Sequence, residues 1–460
     1  MKKLLTGFFI LVGLVAVIVL LLESLETQMQ GPVRPREAPE FGPKVAQFPE
    51  PPPGAIVFDM KYRGLGGGKD EMRYNSYWGF GQVRGTDTAF IQDLKKKIKD
   101  FETIHNPNFK GAESAAVETK DDKAVAFYFD LDADGKVSDD ERILPIATEA
   151  ASTRAVTEFV TPDFMMNTGD GRKVPFRVLL QVFFYGGSSR PNYMWSPSCV
   201  LEGTSTFNGK PTRLILFASG FTGAFDEFGR CSYTLQDPEE STGQYISRHN
   251  LSSIINYKGQ FYNLKLSGSY EKDKRIQVEL KEYAGATGEL AIQLKPDKNL
   301  RTRLSYAGIV GVNDETVRIR FKVPSEQTKL PVGVYKLCDG HMNYGVKKTN
   351  EWRLDFDFKE EPEFTIEADK TCNLELGGPE LLISAVEEKG RYKSDVKEQT
   401  VYSEGTNVYI TRIIKGKGGE LYGRFSKQAE TGPDYKDIEP EIRIVGADGK
   451  QVAAAKIKYG

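Results

Sequence analysis

The chain has 460 residues, 39% hydrophobic and 27% charged, with a formal net charge of −2; that is length enough for roughly two to four domains, each with its own core. A small disulfide-held scaffold is excluded, and with no basic field to gather nucleic acid, no nucleic-acid partner is expected. The 45 glycines, 21 tyrosines and 27 phenylalanines favour strands and turns over long helices.

Lys2 and Lys3 precede an uncharged apolar run from Leu4 to Leu22. At about 1.5 Å per residue, a helix of that length crosses about 30 Å of hydrocarbon. A secretory signal has an apolar core of roughly 7 to 15 residues and a small-x-small cleavage site, whereas this run ends in Glu23-Ser24-Leu25-Glu26. The expectation is therefore a transmembrane signal anchor over 1–22, in contact with the membrane through residues 4–22. The lysines then lie in the cytoplasm and the later domains outside, as a single-pass protein of the cell membrane. A long cleaved signal peptide keeps the same compartment and loses the tether. The prolines of GPVRPREAPEFGPKVAQFPEPPPG, Gly31 to Gly54, predict an extended stalk over 23–54.

A first folded region is expected over 55–283. Thr88 to Ile104 carries Phe90, Ile91, Leu94, Ile98 and Phe101 at helical spacing, with Thr88 as N-cap and Asn106-Pro107 as a stop. Val125 to Phe129, Phe176 to Tyr185, Thr212 to Phe217, Tyr262 to Leu266 and Ile276 to Leu280 read as strands. The region is α+β, leaning β. RGLGGGKD, Arg63 to Asp70, fits neither phosphate-loop pattern and reads as a turn.

Short strands separated by glycine follow. Leu290 to Leu294, Val317 to Val323, Gly333 to Leu337, Trp352 to Phe358 and Glu363 to Glu367 suit one β sandwich over 284–378. Val408 to Ile414, Leu421 to Phe425, Ile442 to Val445 and Val452 to Lys458, with Asp448-Gly449 as a hairpin turn, suit a second over 379–460. Each has the length of an immunoglobulin-like or transthyretin-like module, and PVGVYKL, Pro331 to Leu337, resembles the penultimate strand of such modules.

DLDADGKVSDDE, residues 130 to 141, has the most definite chemistry in the chain. Carboxylates stand at loop positions 1, 3 and 5 (Asp130, Asp132, Asp134), Gly135 at 6, Lys136 at 7, Ser138 at 9 and Glu141 at 12. The pattern resembles the EF-hand calcium loop: hard oxygen ligands, a glycine for the sharp turn, a backbone carbonyl and a bidentate Glu. The resemblance implies a Ca2+ ion held by Asp130, Asp132, Asp134, the Lys136 carbonyl, Ser138 directly or through water, and Glu141, with Asp139 and Asp140 toward solvent. A sensor EF-hand needs a helix on each side. Here AVAFYF precedes the loop as a β run and ILPI follows it, with Pro145 set against a helix. The loop is therefore similar to the strand-flanked calcium staples of secreted proteins.

FASGFTGAFDEFG, Phe217 to Gly229, aligns with the calcium segment through Phe217, Gly223 and Phe225, but Ala218, Gly220, Thr222 and Gly229 replace its ligands. It is either a second unit without metal or a chance likeness. The four cysteines allow two disulfides; of the three pairings, Cys199 with Cys231 and Cys338 with Cys372 each stay within one expected domain. His105, His249 and His341 are scattered, and no zinc motif occurs. YGGSSRPNYMWSPSC gathers Tyr185, Tyr193 and Trp195, rings that either stack a carbohydrate or protein ligand or fill a core.

These features predict a membrane-anchored calcium-binding protein with a structural or ligand-binding role and a layout similar to uncharacterised secreted bacterial modular proteins. The alternative is a tethered hydrolase acting on envelope polysaccharide or peptide through two carboxylates about 5 to 9.5 Å apart.

Overall fold

The computed structural model describes residues 51–66, 79–81, 88–104, 114–121, 123–151, 154–167, 173–185, 191–207, 209–218, 220, 223–236, 248–268, 275–295, 301–322, 327–345, 351–356, 361–386, 409–428, 435–437, 441–445 and 449–456. Among these the chain is almost wholly β, with thirty-three strands, one α-helix, Ala89–Lys97, and one 3-10 turn, Asp139–Glu141. This corrects the α+β expectation. The helix expected to reach Ile104 ends at Lys97, because Ile98 turns to an extended φ of −134° and ψ of 138°. Phe101–Ile104 is a strand paired with Ala115–Glu118, so the sheet partner overrides a spacing that suits a helix.

Single-pass anchoring is corrected as well. Among the described residues no helix is long and apolar enough to cross a membrane. The expected span at 4–22 and stalk positions 23–50 lie outside the described residues.

Strand Ile56–Gly64 lies inside an eight-stranded sheet, antiparallel to Cys199–Phe207 on one side and Ile276–Glu282 on the other. A five-stranded sheet and a four-stranded sheet share its core. Phe58 and Met60 come from the first, Phe159, Leu180 and Trp195 from the second, and Val117, Phe127 and Phe129 from the third. Strands buried on both faces carry near-continuous apolar runs, which is why AVAFYF and VLLQVFFY lack a clean alternation.

A second core forms on a nine-stranded sheet. Arg301–Gly311 pairs with Gly333–Gly345, which pairs with Glu351–Phe356, and that strand continues into Leu421–Gln428 and Tyr409–Lys415. The two expected sandwiches are thereby corrected, since Glu380–Val386, Tyr409–Lys415, Leu421–Gln428 and Tyr435–Asp437 extend the sheet begun at residue 301, while Glu441–Val445 and Gln451–Lys456 pair with each other apart from it. Leu354, Phe356, Ile414 and Tyr422 are buried in one cluster, and the Phe356 and Tyr422 rings stack with centroids 5.4 Å apart. Burying these side chains together offsets the chain entropy of closing the long connection between the strands.

All four cysteines are free thiols, which corrects both expected disulfides. Cys199 is buried in a polar cluster with Tyr62, Asp163 and Arg177, and burial pushes its thiol up to about 12. The Cys231 thiol donates to the Ala224 carbonyl at 3.3 Å. Cys338 and Cys372 belong to strands of two different sheets, Gly333–Gly345 and Thr371–Gly377.

Candidate metal centre

Strand Lys123–Phe129 launches the acidic loop, and both its faces are buried. Ala126 and Tyr128 pack with Phe90, Ile91 and Leu94 of the helix. Phe127 and Phe129 turn to the large core, where Phe127 meets Trp195 edge-on at 5.6 Å and Phe129 meets Phe164 at 5.1 Å. After residues 130–141 the chain returns as Arg142–Ile143, with Ile143 opposite Phe127 and Arg142 opposite Tyr128. The loop thus closes a β hairpin, with strands on both sides as the sequence predicts.

Three of the six expected ligands come together. One carboxylate oxygen each from Asp130, Asp132 and Asp134 lies within 4.8 Å of the others. Asp132 and Asp134 are exposed, while Asp130 is half-buried. The Asp130 Oδ1 atom is closed off from solvent without a hydrogen-bond partner. Burial above all, and then the charges of Asp132 and Asp134, hold the Asp130 carboxyl above the usual range, against the pull of the Gly135 and Ala133 amides. An orphaned carboxylate oxygen facing two more carboxylates has an unmet need for positive charge.

Of the other three expected ligands, the Glu141 carboxylate and the Ser138 hydroxyl are engaged elsewhere. Glu141 is buried, with Oε1 accepting from the Leu131 amide at 2.9 Å and Oε2 from the Ser138 amide at 2.9 Å. Its carboxyl is raised chiefly by burial, and these amides oppose the shift. The Ser138 hydroxyl donates to Asp140 Oδ1 at 2.6 Å. Lys136 is exposed, and its amide donates to Asp134 Oδ1 at 2.7 Å. Asp134 in turn donates its amide to Asp132 Oδ1 at 3.2 Å. Such bonds from loop side chains to loop amides fix a turn without a helix. Gly135, at φ 73°, adopts the left-handed backbone that an EF-hand glycine supplies, and Ala133 shares that region at φ 61°.

The helix braces the loop, a role the sequence does not signal. Thr88 caps the helix by accepting from the Ile91 amide at 3.3 Å, and the same hydroxyl oxygen accepts from Ser114 Oγ at 2.6 Å. The Ser114 carbonyl accepts from the amide of Asp130. Residues 89, 93 and 97 form a second stripe beside the core-facing one. Ala89 lies against Gly135, so that a Cβ on the glycine would sit 3.1 Å from the alanine's. Asp93 accepts from the Val137 amide, and Lys97 donates to the Val137 carbonyl. Asp93 and Lys97 also pair with each other at 3.1 Å. Their spacing reads as an ordinary surface pair, with nothing to tie it to a residue forty positions on.

The Phe217 to Gly229 segment has the same strand–loop–strand setting. It follows Lys210–Phe217 and leads into Ser232–Gln236, with Phe217 opposite Ser232. Gly223 takes φ 72°, close to the 73° of Gly135. Phe225, aligned with Val137, is fully buried in the large core, whereas Val137 packs half-buried against the helix cluster. Tyr193 and Trp195 are also buried, and Tyr193 donates to Glu102 Oε2 at 2.9 Å, so these two rings fill the core.

No known protein family and no curated protein matches the chain. Among solved structures, a leucine-rich repeat protein from Bacteroides thetaiotaomicron aligns with 49% of this chain and 24% of its own length, at 12% identity and a TM-score of 0.15. A likeness that slight carries no argument about fold or function.

Proposed function

We propose that residues 130–141 bind one calcium ion and that the ion staples the hairpin, giving the protein a structural or ligand-binding role. The observation that carries the reading is the buried, unpartnered Asp130 Oδ1 beside the carboxylates of Asp132 and Asp134. The set is all oxygen, as a hard cation requires, and lacks the nitrogen or sulfur donors that favour zinc. Asp130, Asp132 and Asp134 would form one side of the coordination. The Lys136 carbonyl, Ser138 and Glu141 would complete it after local turns of the loop. The ion supplies only positive charge, and the protein supplies the cage and the packed strands behind it.

A staple differs from a sensor in what moves. The flanks are one strand and one 3-10 turn leading into a second strand, so there is no pair of helices to reorient.

The test is thermal melting of the chelator-stripped protein against added calcium, followed by circular dichroism. A staple with a dissociation constant of about 10⁻⁴ to 10⁻³ M gains about 1.4 kcal/mol at ten times that concentration, with an unchanged β spectrum. Melting indifferent to calcium rejects the site, and a large spectral change on binding rejects the staple.

A further inference from the structure

A cavity of about 250 Å³ lies between the eight-stranded sheet, which contributes Tyr233 and His249, the nine-stranded sheet, which contributes Arg318, Arg320 and Asp339, and strand Thr328–Pro331 of a three-stranded sheet, which contributes Lys329. Gly308 opens it. In register, Gly308 stands opposite Arg320 on one neighbouring strand and Asp339 on the other, leaving the space between those side chains empty. A Cβ there would come within 3.0 Å of Asp339 Cβ and 3.5 Å of Cys338 Sγ.

The charges do not balance. Asp339 is engaged on both oxygens: Tyr306 donates to Oδ1 at 3.0 Å, and the Arg320 guanidinium lies 3.7 Å from Oδ2. The guanidinium carbon of Arg320 sits 4.0 Å over the Tyr306 ring, which fixes it in place. Arg318, two residues earlier on the same face, donates to the Glu315 carbonyl at 3.4 Å and packs across Gly229, where a Cβ would lie 2.5 Å from its Nε. Among the described residues neither Arg318 nor Lys329 makes an ion pair within 4.0 Å, although Glu289 stands opposite Lys329 in register on the neighbouring strand, with Thr371 donating to the glutamate's Oε2. Three cations against one carboxylate, in a chain whose formal charge is −2, make a local positive field.

We infer that this cavity binds a small organic anion, with a carboxylate or phosphate seated at Arg318 and Lys329. Asn250, Asn256 and Thr328 supply neutral polar groups around the rest of the ligand. The volume falls below the roughly 300–1,000 Å³ of drug-sized pockets, so the body that carries the charge is compact. Because the walls come from three sheets, the ligand also ties them together.

The test is isothermal titration calorimetry of the full chain at low ionic strength with glucuronate, glucose 6-phosphate and uncharged glucose. Saturable binding is expected for one or both anions and none for glucose; which anion wins tells carboxylate from phosphate. Arg318→Gln and Lys329→Gln should each weaken it about tenfold, the loss of one charge-assisted hydrogen bond. Lys210→Gln, in a separate crevice lined by Phe207 and Tyr257, should leave it unchanged. Lys329 is exposed, so its variant keeps the fold. The inference is overturned if neither anion binds, if glucose binds as well as the anions, or if Lys329→Gln leaves the affinity unchanged.

Discussion

Val137 donates its backbone amide to Asp93 Oδ2 at 3.1 Å, across 44 residues of sequence. With Lys97 on the Val137 carbonyl, the helix satisfies both backbone polar groups of a residue inside the acidic loop. An ordinary hairpin of this length leaves such groups to water. Asp93→Ala should therefore loosen the loop and weaken calcium binding severalfold, read by calcium titration, while leaving the β spectrum unchanged. Equal affinity in the variant would mean the brace has no part in shaping the loop.

Gly135 should tolerate no side chain. Its φ of 73° costs an L-residue about 1–2 kcal/mol, and the new methyl would press on Ala89. Gly135→Ala should lose at least that much in denaturant melts with or without calcium. Ala133 already lies in the left-handed region at φ 61°, so Ala133→Gly should gain up to about 1 kcal/mol.

Much of this was legible in residues 123 to 143. The apolar run ending at Phe129, the aspartates at alternate positions and the left-handed glycine all stand where their chemistry places them. The spacing could not show that Glu141 spends its oxygens on the Leu131 and Ser138 amides, because that depends on a side-chain rotation. Phe101 and Ile104 misled for another reason: a spacing of three suits a helix, and only the partner strand from Ala115 decides for a sheet. The second region failed similarly, since nothing local to Leu421 reveals that Glu351–Phe356 is its neighbour. Cysteine number suggested disulfides, yet number says nothing about distance, and the thiols lie packed apart.

Glu420 is a structural carboxylate that the sequence does not mark. It is fully buried and accepts from the Gly377 amide at 2.5 Å, the Gly418 amide at 3.0 Å and the Tyr422 hydroxyl at 2.8 Å, although burial raises its pKa. Glu420→Ala strands three donors and should cost about 3 kcal/mol or more in denaturant melts. Glu420→Gln keeps one accepting oxygen and should cost less.

His341 gives the fold an acid-sensitive point. Burial, then Arg353, lowers its pKa from 6.5 to about 4, with Arg303 acting the same way and Asp355 and Asp339 opposing. The imidazole Nδ1 is buried without a hydrogen-bond partner, and the ring stands edge-on to Tyr306 at 5.0 Å. Between pH 6.5 and about 4 the unfolded chain binds the proton and the folded chain does not. The stability contributed is thus present above pH 6.5 and lost as pH falls through about 4. With allowance for the half-exposed ring, the loss is roughly 1–2 kcal/mol. His341→Gln should flatten that part of the pH–stability curve, and an unchanged slope would place the acid sensitivity elsewhere.

Calcium titration by calorimetry into the chelator-stripped full chain, beside Asp130→Asn, is the most direct test. One ion per chain is expected, bound by the parent with a dissociation constant of about 10⁻³ M or tighter, with no measurable binding by the variant. A parent that takes up no calcium at about ten times that concentration, or an Asp130→Asn chain that binds as the parent does, would contradict that expectation.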